Sequence, residues 1–342
     1  MLSRADCAAD TAALLTTGEN WQIVGSGLPA QILWQTSEPR PLRTGFSGLP
    51  QSDLATYGDQ LLYRWDYAEN ATSQTCENDY LISYDLKSGV ENWRFPYSLN
   101  EGFKNIQPVN DGITLVYDQA LVKLDAQGNE VWRNESFPSR SIGNVYENNN
   151  LYLPSYRKVF EVSNQSGEIV REIAADGVIA YFGNYVFSSN APHMLEVYDA
   201  IDQSTFMVPI GDQTSIDMST GFFYPFVAVR GDTLFVIDQY GDTRGVEGYS
   251  ISTGQPLWNI NQVVDTSPVI TDDYLYIYAQ QSLLVFDIDT GEQIGVVELE
   301  RSSSSEGASL TNYHVWLAAH DNFVAVKFLD TWELVVIELQ SS

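Results

Sequence analysis

Basic residues are scarce in this chain. Lys and Arg number 17 against 45 Asp and Glu, a formal net charge of −28 over 342 residues. Such a surface repels phosphate backbones and anionic headgroups, which argues against nucleic acid and acidic membrane surfaces as partners. Cationic partners, divalent ions or a solvated acidic surface fit the charge better. Cysteine is limited to Cys7 and Cys76, and their separation matches no zinc or haem spacing. They form either one disulfide, pinning the N-terminal segment to a loop, or two free thiols. No run of 18 apolar residues is present, so a membrane-spanning helix is not expected. The opening Met1-Leu-Ser-Arg-Ala-Asp6-Cys7 lacks the apolar stretch of a signal peptide, and Asp6 spoils a lipid-attachment box. We expect the processed form of an exported protein with an added start Met. Few lysines, many small polar residues and three glycosylation-type triplets (Asn70, Asn134, Asn164) favour an extracellular, periplasmic or cell-surface location.

Catalytic patterns are sparse too. The three histidines, His193, His314 and His320, form no metal motif, and His193 and His320 read as turn residues. No Gly-x-Ser-x-Gly elbow positions a nucleophile, and no glycine loop is arranged to cradle phosphate. Arg230-Gly231-Asp232 spells an adhesion tripeptide, but it falls where other units place a hairpin turn. Aromatics such as Tyr224, Phe226, Tyr240 and Trp316 could line a sugar site; their alternating strand positions fit packing better.

What the chain does have is repetition. Leu81-Ile-Ser-Tyr-Asp85-Leu-Lys-Ser-Gly89 is followed by Trp93, and Leu121-Val-Lys-Leu-Asp125-Ala-Gln-Gly128 by Trp132. Val246-Glu-Gly-Tyr-Ser250-Ile-Ser-Thr-Gly254 precedes Trp258, and the cleanest copy is Leu283-Leu-Val-Phe-Asp287-Ile-Asp-Thr-Gly291. Degenerate copies centre on Ser163 with Gly167, on Asp199 and near Phe328. Upstream of each phrase lies a polar turn and an alternating strand, as in Gly58-Asp-Gln-Leu-Leu-Tyr63, Gly231-Asp-Thr-Leu-Phe-Val-Ile237 and Asn312-Tyr-His-Val-Trp-Leu317. A β repeat of roughly 40 residues means a toroidal or solenoid architecture.

The best copy reconstructs one unit: strands at Thr266–Ile270, Tyr274–Tyr278, Leu283–Phe286 and Ile294–Leu299. Four antiparallel strands with short turns make a propeller blade. We therefore expect an all-β propeller of four-stranded blades, seven in number, or eight if the N-terminal strand and a distorted unit add another. Residues 1–20 are expected as a weakly attached segment and 21–342 as one propeller domain. Gln31-Ile-Leu-Trp34 resembles a lone fourth strand that completes the final blade. The turn residues Asp85, Gly89, Asp125, Gly128, Gly167, Asp199, Gly254, Asp287 and Gly291 have a structural task, the acid bonding amides ahead of it and the glycine accepting positive φ. A calcium site is conceivable at Asp287-Ile-Asp289-Thr-Gly291-Glu292, although no EF-hand spacing is present.

The phrase apolar-x-x-x-Asp-x-x-Thr-Gly-x-x-x-Trp, with Ser267-Pro268-Val269 upstream, resembles the pyrroloquinoline-quinone-like repeat family. That resemblance implies a propeller over roughly residues 35–340. Some members are quinone-dependent dehydrogenases; others bind no cofactor and act as scaffolds, including an outer-membrane assembly lipoprotein. The dehydrogenases carry adjacent cysteines over the quinone, and Cys7 and Cys76 are far apart, so no catalytic residue transfers. The expectation is a non-catalytic scaffold that binds another protein or a surface assembly through rim loops, without cofactor. The insertions Ala68–Asp79 and Ile210–Ser219 are its candidate contact loops. The alternative is a quinone-dependent oxidoreductase, with Ca2+ or PQQ, or a carbohydrate-active enzyme using the central channel.

Overall fold

The structure, a computed structural model, describes residues 21–37, 54–65, 79–97, 103–117, 119–137, 146–148, 150–155, 158–174, 178–182, 185–191, 194–199, 204–209, 226–238, 245–261, 268–279, 281–301, 315–328 and 333–340. These residues form 29 strands in seven antiparallel sheets, the blades of a β-propeller. The first two strands are β1 (Trp21–Ser26) and β2 (Ala30–Ser37). Blade I holds β3 (Leu54–Tyr57), β4 (Gln60–Trp65), β5 (Asp79–Asp85) and β6 (Glu91–Tyr97). Blade II holds β7 (Phe103–Val109), β8 (Gly112–Tyr117), β9 (Leu121–Leu124) and β10 (Glu130–Asn134). Blade III has β11 (Tyr146–Asn148), β12 (Asn150–Ser155), β13 (Lys158–Val162) and β14 (Ile169–Ala174). Blade IV has β15 (Val178–Phe182), β16 (Tyr185–Ala191), β17 (Met194–Asp199) and β18 (Ser204–Pro209). Blade V has β19 (Phe226–Arg230), β20 (Thr233–Asp238), β21 (Gly245–Ser250) and β22 (Pro256–Ile260). Blade VI is β23 (Val269–Ile270), β24 (Tyr274–Ala279), β25 (Ser282–Asp287) and β26 (Gln293–Arg301). Blade VII is β27 (Val315–His320), β28 (Phe323–Phe328) and β29 (Glu333–Leu339), with β2 as its fourth strand.

The contacts divide into two compact units. One comprises residues 1–100, 265–288 and 292–342, the other residues 101–264 and 289–291. The first is filled by two apolar clusters, one around Tyr276, Val285, Val326 and Ile337, the other around Leu61, Tyr63, Ala325 and Val336. The second is filled around Phe187, Val197 and Leu234 and around Leu121, Leu153 and Phe160. The middle strands β8, β9 and β28 are buried on both faces, which is why they read as nearly continuous apolar runs, interrupted by the buried Thr114, Lys123 and Lys327, rather than alternating ones.

Three features depart from the sequence reading. The first strand of blade VI is only Val269–Ile270, directly after Pro268, while Thr266 and Ser267 lie outside the described residues. In the last blade, Val315–Leu317 belong to the first strand rather than the second, with residues 312–314 outside the described residues; the hairpin turn is Asp321-Asn322, where Asp321 adopts φ 50°. Phe328 ends the second strand there, and because the fourth strand comes from the N-terminal side, blade VII has no turn between its third and fourth strands. Nor do the N-terminal strands found an eighth blade. β2 pairs with β29, and β1 adds itself to β26 as a fifth strand of blade VI.

One local device recurs. The turn glycines Gly89, Gly128, Gly167, Gly254 and Gly291 all have φ between 66° and 78°, a region that L side chains avoid. Against several of these glycines lies an aromatic ring from the outer strand of another blade. A Cβ on Gly89 would meet the Trp34 ring at 2.7 Å, one on Gly167 the Trp132 ring at 2.4 Å, and one on Gly291 the Trp258 ring at 2.6 Å. Phe206 approaches Gly254 more loosely, at 3.5 Å. In six blades the ladder to the outer strand slips by one residue just before the docking position, between Ile32 and Trp34 on β2 and between Glu130 and Trp132 on β10, for example. That bulge leaves one residue unpaired and turns the next side chain outward. Val131, Val170, Leu257 and Ile294 are such bulged residues, which accounts for their exposure.

Gly167→Ala should therefore lower stability by about 3 kcal/mol, combining positive φ with overpacking against Trp132. Gly231→Ala, at φ 56° with nothing within 4 Å of the added methyl, should cost only about 1 kcal/mol. Urea midpoints of the two variants measure the difference, and equal losses would contradict the packing role.

Candidate functional site

In a blade built from four consecutive antiparallel strands, the first-to-second and third-to-fourth turns fall at the same end of the sheet. Main-chain hydrogen bonds join them. Leu86 N donates to Asp59 O at 2.9 Å, Ile251 N to Asp232 O at 2.7 Å and Ile288 N to Asp273 O at 3.2 Å. Each donor residue also buries its side chain. Here the repeat's polar groups are held. Asp85 Oδ1 accepts from Ser88 N and Ser88 Oγ at 2.7 Å and from Lys87 N at 3.2 Å. Asp125 Oδ1 accepts from Gln127 N and Asn129 N, both at 2.9 Å. Ser163 Oγ stands in the same place in blade III, accepting from Gln165 N and Ser166 N. Asp199 closes β17 opposite Tyr185 and Ser204, and Asp287 closes β25, its amide donating to Glu292 O at 2.9 Å.

The Arg-Gly-Asp tripeptide belongs to this network. Gly231 makes the β19–β20 turn, and Asp232 Oδ2 accepts from Ser250 Oγ at 2.7 Å and Ser252 Oγ at 2.9 Å while Oδ1 accepts from Ser252 N at 2.8 Å. Its carboxylate is held by its own blade. In the second unit Lys123 Nζ, almost fully buried, donates to Asp111 Oδ1 at 2.5 Å and Asn164 Oδ1 at 2.7 Å. Asn164 O also accepts from Trp132 Nε1 at 2.9 Å, so a buried cation is tied to the residue that docks the tryptophan. Two of the glycosylation-type asparagines thus have internal roles: Asn164 here, and Asn134, whose Nδ2 donates to Gly167 O at 2.7 Å.

These bonds act on acidity. Hydrogen bonding from Ser88 holds the Asp85 carboxyl below its usual range, Lys123 does the same for Asp111, and Asn129 for Asp125. At Asp232 burial pushes the value up, but the bonds from Ser250 and Ser252 prevail and the net shift is downward. Burial, reinforced by Glu247, raises the Tyr249 hydroxyl well above the ordinary tyrosine value. Among the described residues no three or more His, Cys, Asp or Glu side chains gather in a way that could hold a metal ion. His320 ends β27, its Nε2 3.7 Å from Asp321 Oδ2. Trp316 on β27 lies 5.4 Å from the buried Lys327 Nζ, which stands 4.1 Å over the Tyr63 ring.

His193, His314, Tyr224, Tyr240, Asn70, Cys7, Cys76, the contact loop 210–219 and residues 68–78 of the other contact loop lie outside the described residues. The sequence reading did not find the partner of β26. At the position where other blades carry tryptophan, four residues after the turn glycine, blade VI has Gly295, and a Cβ there would meet Leu28 at 2.3 Å. The signal was the missing tryptophan.

No family model and no curated protein matches the sequence. Among solved structures, the Pan2 WD40 domain of Neurospora crassa is similar at 10% identity and TM-score 0.57, over 96% of this chain and 98% of that one. BamB from Moraxella catarrhalis matches at 12% identity and TM-score 0.48, over 95% and 100%. The likeness to the WD40 domain is one of fold. No helix of the described residues is long and apolar enough to cross a membrane.

The lowered carboxyls set a pH dependence. A depressed group contributes stability that is full above its unfolded value, near 4, and is lost as pH falls through its lower folded value. The urea midpoint should therefore fall below about pH 4. The double variant Asp85→Asn, Asp125→Asn retains the turn geometry but not the titration, so its midpoint should decline less steeply from pH 5 to pH 3. Parallel curves for variant and parent would refute this.

Proposed function

We propose that this chain is a non-catalytic binding or assembly scaffold of the quinone-like repeat type, working at the cell exterior and taking partner proteins on its rim loops. The observation that carries the reading is where the repeat's reactive groups point. Asp85, Asp125, Ser163, Asp232 and Ser250 bond the backbone or neighbouring turns of their own blades. Groups held in this way maintain a frame, and a frame of tight turns at one end leaves loop variation to the other. The insertions at 68–79 and 210–219 are the proposed contacts, and a net charge of −28 favours partners with a cationic face. No cofactor is assigned. The competing chemistry is calcium at Asp287 to Glu292, or a quinone-dependent oxidoreductase or carbohydrate-active enzyme using the central channel.

Two measurements test this. A partner recovered by cross-linking in the source cells should contact one of the two insertions. Replacing residues 68–78 or 210–219 with a short Gly-Ser linker should then weaken binding of the purified partner at least tenfold, with the melting temperature within about 2 °C of the parent. Undiminished affinity in both loop variants would reject the rim-loop assignment. Separately, titration with pyrroloquinoline quinone and calcium chloride should leave the melting curve unmoved, and a saturable upward shift would favour the oxidoreductase.

A further inference from the structure

Residues 21–37 form one piece whose strands pair with segments remote in sequence. β1 and β2 are joined to each other by the Gln35 amide, whose Oε1 accepts from Trp21 N at 2.8 Å and whose Nε2 donates to Trp21 O at 3.3 Å. Their ladder partners lie at the far end of the chain. β1 runs Trp21↔Arg301 to Ser26↔Val297 along β26, and β2 runs Ala30↔Leu339 to Ser37↔Glu333 along β29. The receiving surface is shaped for this piece. Gly295 leaves the docking position open and Leu28 fills it, Gly27 N donates to Val296 O at 2.8 Å, and Gln340 N donates to Pro29 O at 2.8 Å. Trp21 stacks on Phe328 with centroids 4.0 Å apart, and its Nε1 donates to buried Glu333 at 2.8 Å, which also accepts from Arg301. Trp34 adds its dock on Gly89 and a bond to Leu86 O.

From this geometry we infer that the edge of β26, the Gly295 notch and β29 form a peptide-accepting site, and that a second copy of this chain can fill it with its own residues 21–37. The piece has an antiparallel register, an apolar plug at Leu28 and an aromatic anchor at each end, so its bonds are the same whichever molecule supplies it. Residues 38–53 tether it to β3, and a stretch of that length spans roughly 50 Å when extended. Exchange of an identical element needs no new interface and is a low-cost route to a dimer. The tether sets the balance. Closure within one chain has an effective concentration of roughly 1 mM, so exchange should involve about a tenth of molecules at ~0.1 mM protein and rise with concentration.

Gln22 and Glu300 face each other across the exposed outer pair, Nε2 to Oε2 at 3.4 Å, and lie outside the core. Full-length chains carrying Gln22→Cys alone and Glu300→Cys alone would be unfolded together, refolded at 5, 50 and 200 μM, oxidised and digested. We expect an interchain link between positions 22 and 300, found by mass spectrometry and growing about tenfold from the lowest to the middle concentration. The doubly substituted chain should form the same link within one molecule, which checks the register. An intramolecular link in the double variant with no interchain link at any concentration overturns the inference, and so does failure of the double variant to link.

Discussion

A ring of an aromatic side chain laid flat on a glycine turn is the contact on which these blades depend. Three requirements meet in it. The turn must enter left-handed backbone, the turn residue must lack a Cβ, and the outer strand must bulge so that the next side chain swings onto a neighbouring sheet. Trp34 on Gly89, Trp132 on Gly167 and Trp258 on Gly291 satisfy all three. Trp34 and Trp132 each also donate an indole N–H to a main-chain carbonyl within the turn they cover, Leu86 O and Asn164 O. The contact thus binds turn and strand by packing and by hydrogen bond together. A buried indole face contributes on the order of 2–3 kcal/mol through area alone.

Substitutions in this pattern tell as much as its copies. Gly295 stands where a tryptophan would, and the chain supplies Leu28 from its own N-terminal side to occupy the notch. In blade III the docking position is Arg171, which pairs instead with the buried Glu161 of the adjacent strand. Trp93 turns back to Gln60 within its own blade, Nε1 to Oε1 at 3.1 Å. The repeat therefore tolerates polar or missing docks where a different contact holds the strand.

The architecture was legible because its constraints are local. Gly89, Gly167 and Gly291 recur for a steric reason, and Asp85 and Asp125 recur where an acceptor meets turn amides, so both leave a period in the sequence. The last blade misled because Asn312-Tyr313 mimics the hairpin signal, whereas the real turn, Asp321-Asn322, contains no glycine and accepts a strained φ. β1 was not visible at all. Its attachment combines backbone pairing, the stack of Trp21 on Phe328 and Leu28 over Gly295, and an absent side chain 267 residues away leaves no pattern in the N-terminal residues themselves. Of the candidate contact surface only its frame could be read, since loop length marks an insertion without saying what it touches.

In blades I, II, III and V one end is fixed by short turns that engage the polar side chains of Asp85, Asp125, Ser163 and Asp232. Everything rests on the aromatic–glycine contact being energetically coupled rather than incidental. A double-mutant cycle on Trp34 and Gly89, read by urea unfolding, measures that coupling directly. In the Trp34→Ala background, Gly89→Ala should lose only the roughly 1–2 kcal/mol that positive φ imposes, giving a coupling energy of about 1–2 kcal/mol. Strict additivity, with Gly89→Ala costing the same whether or not the indole is present, would contradict the account.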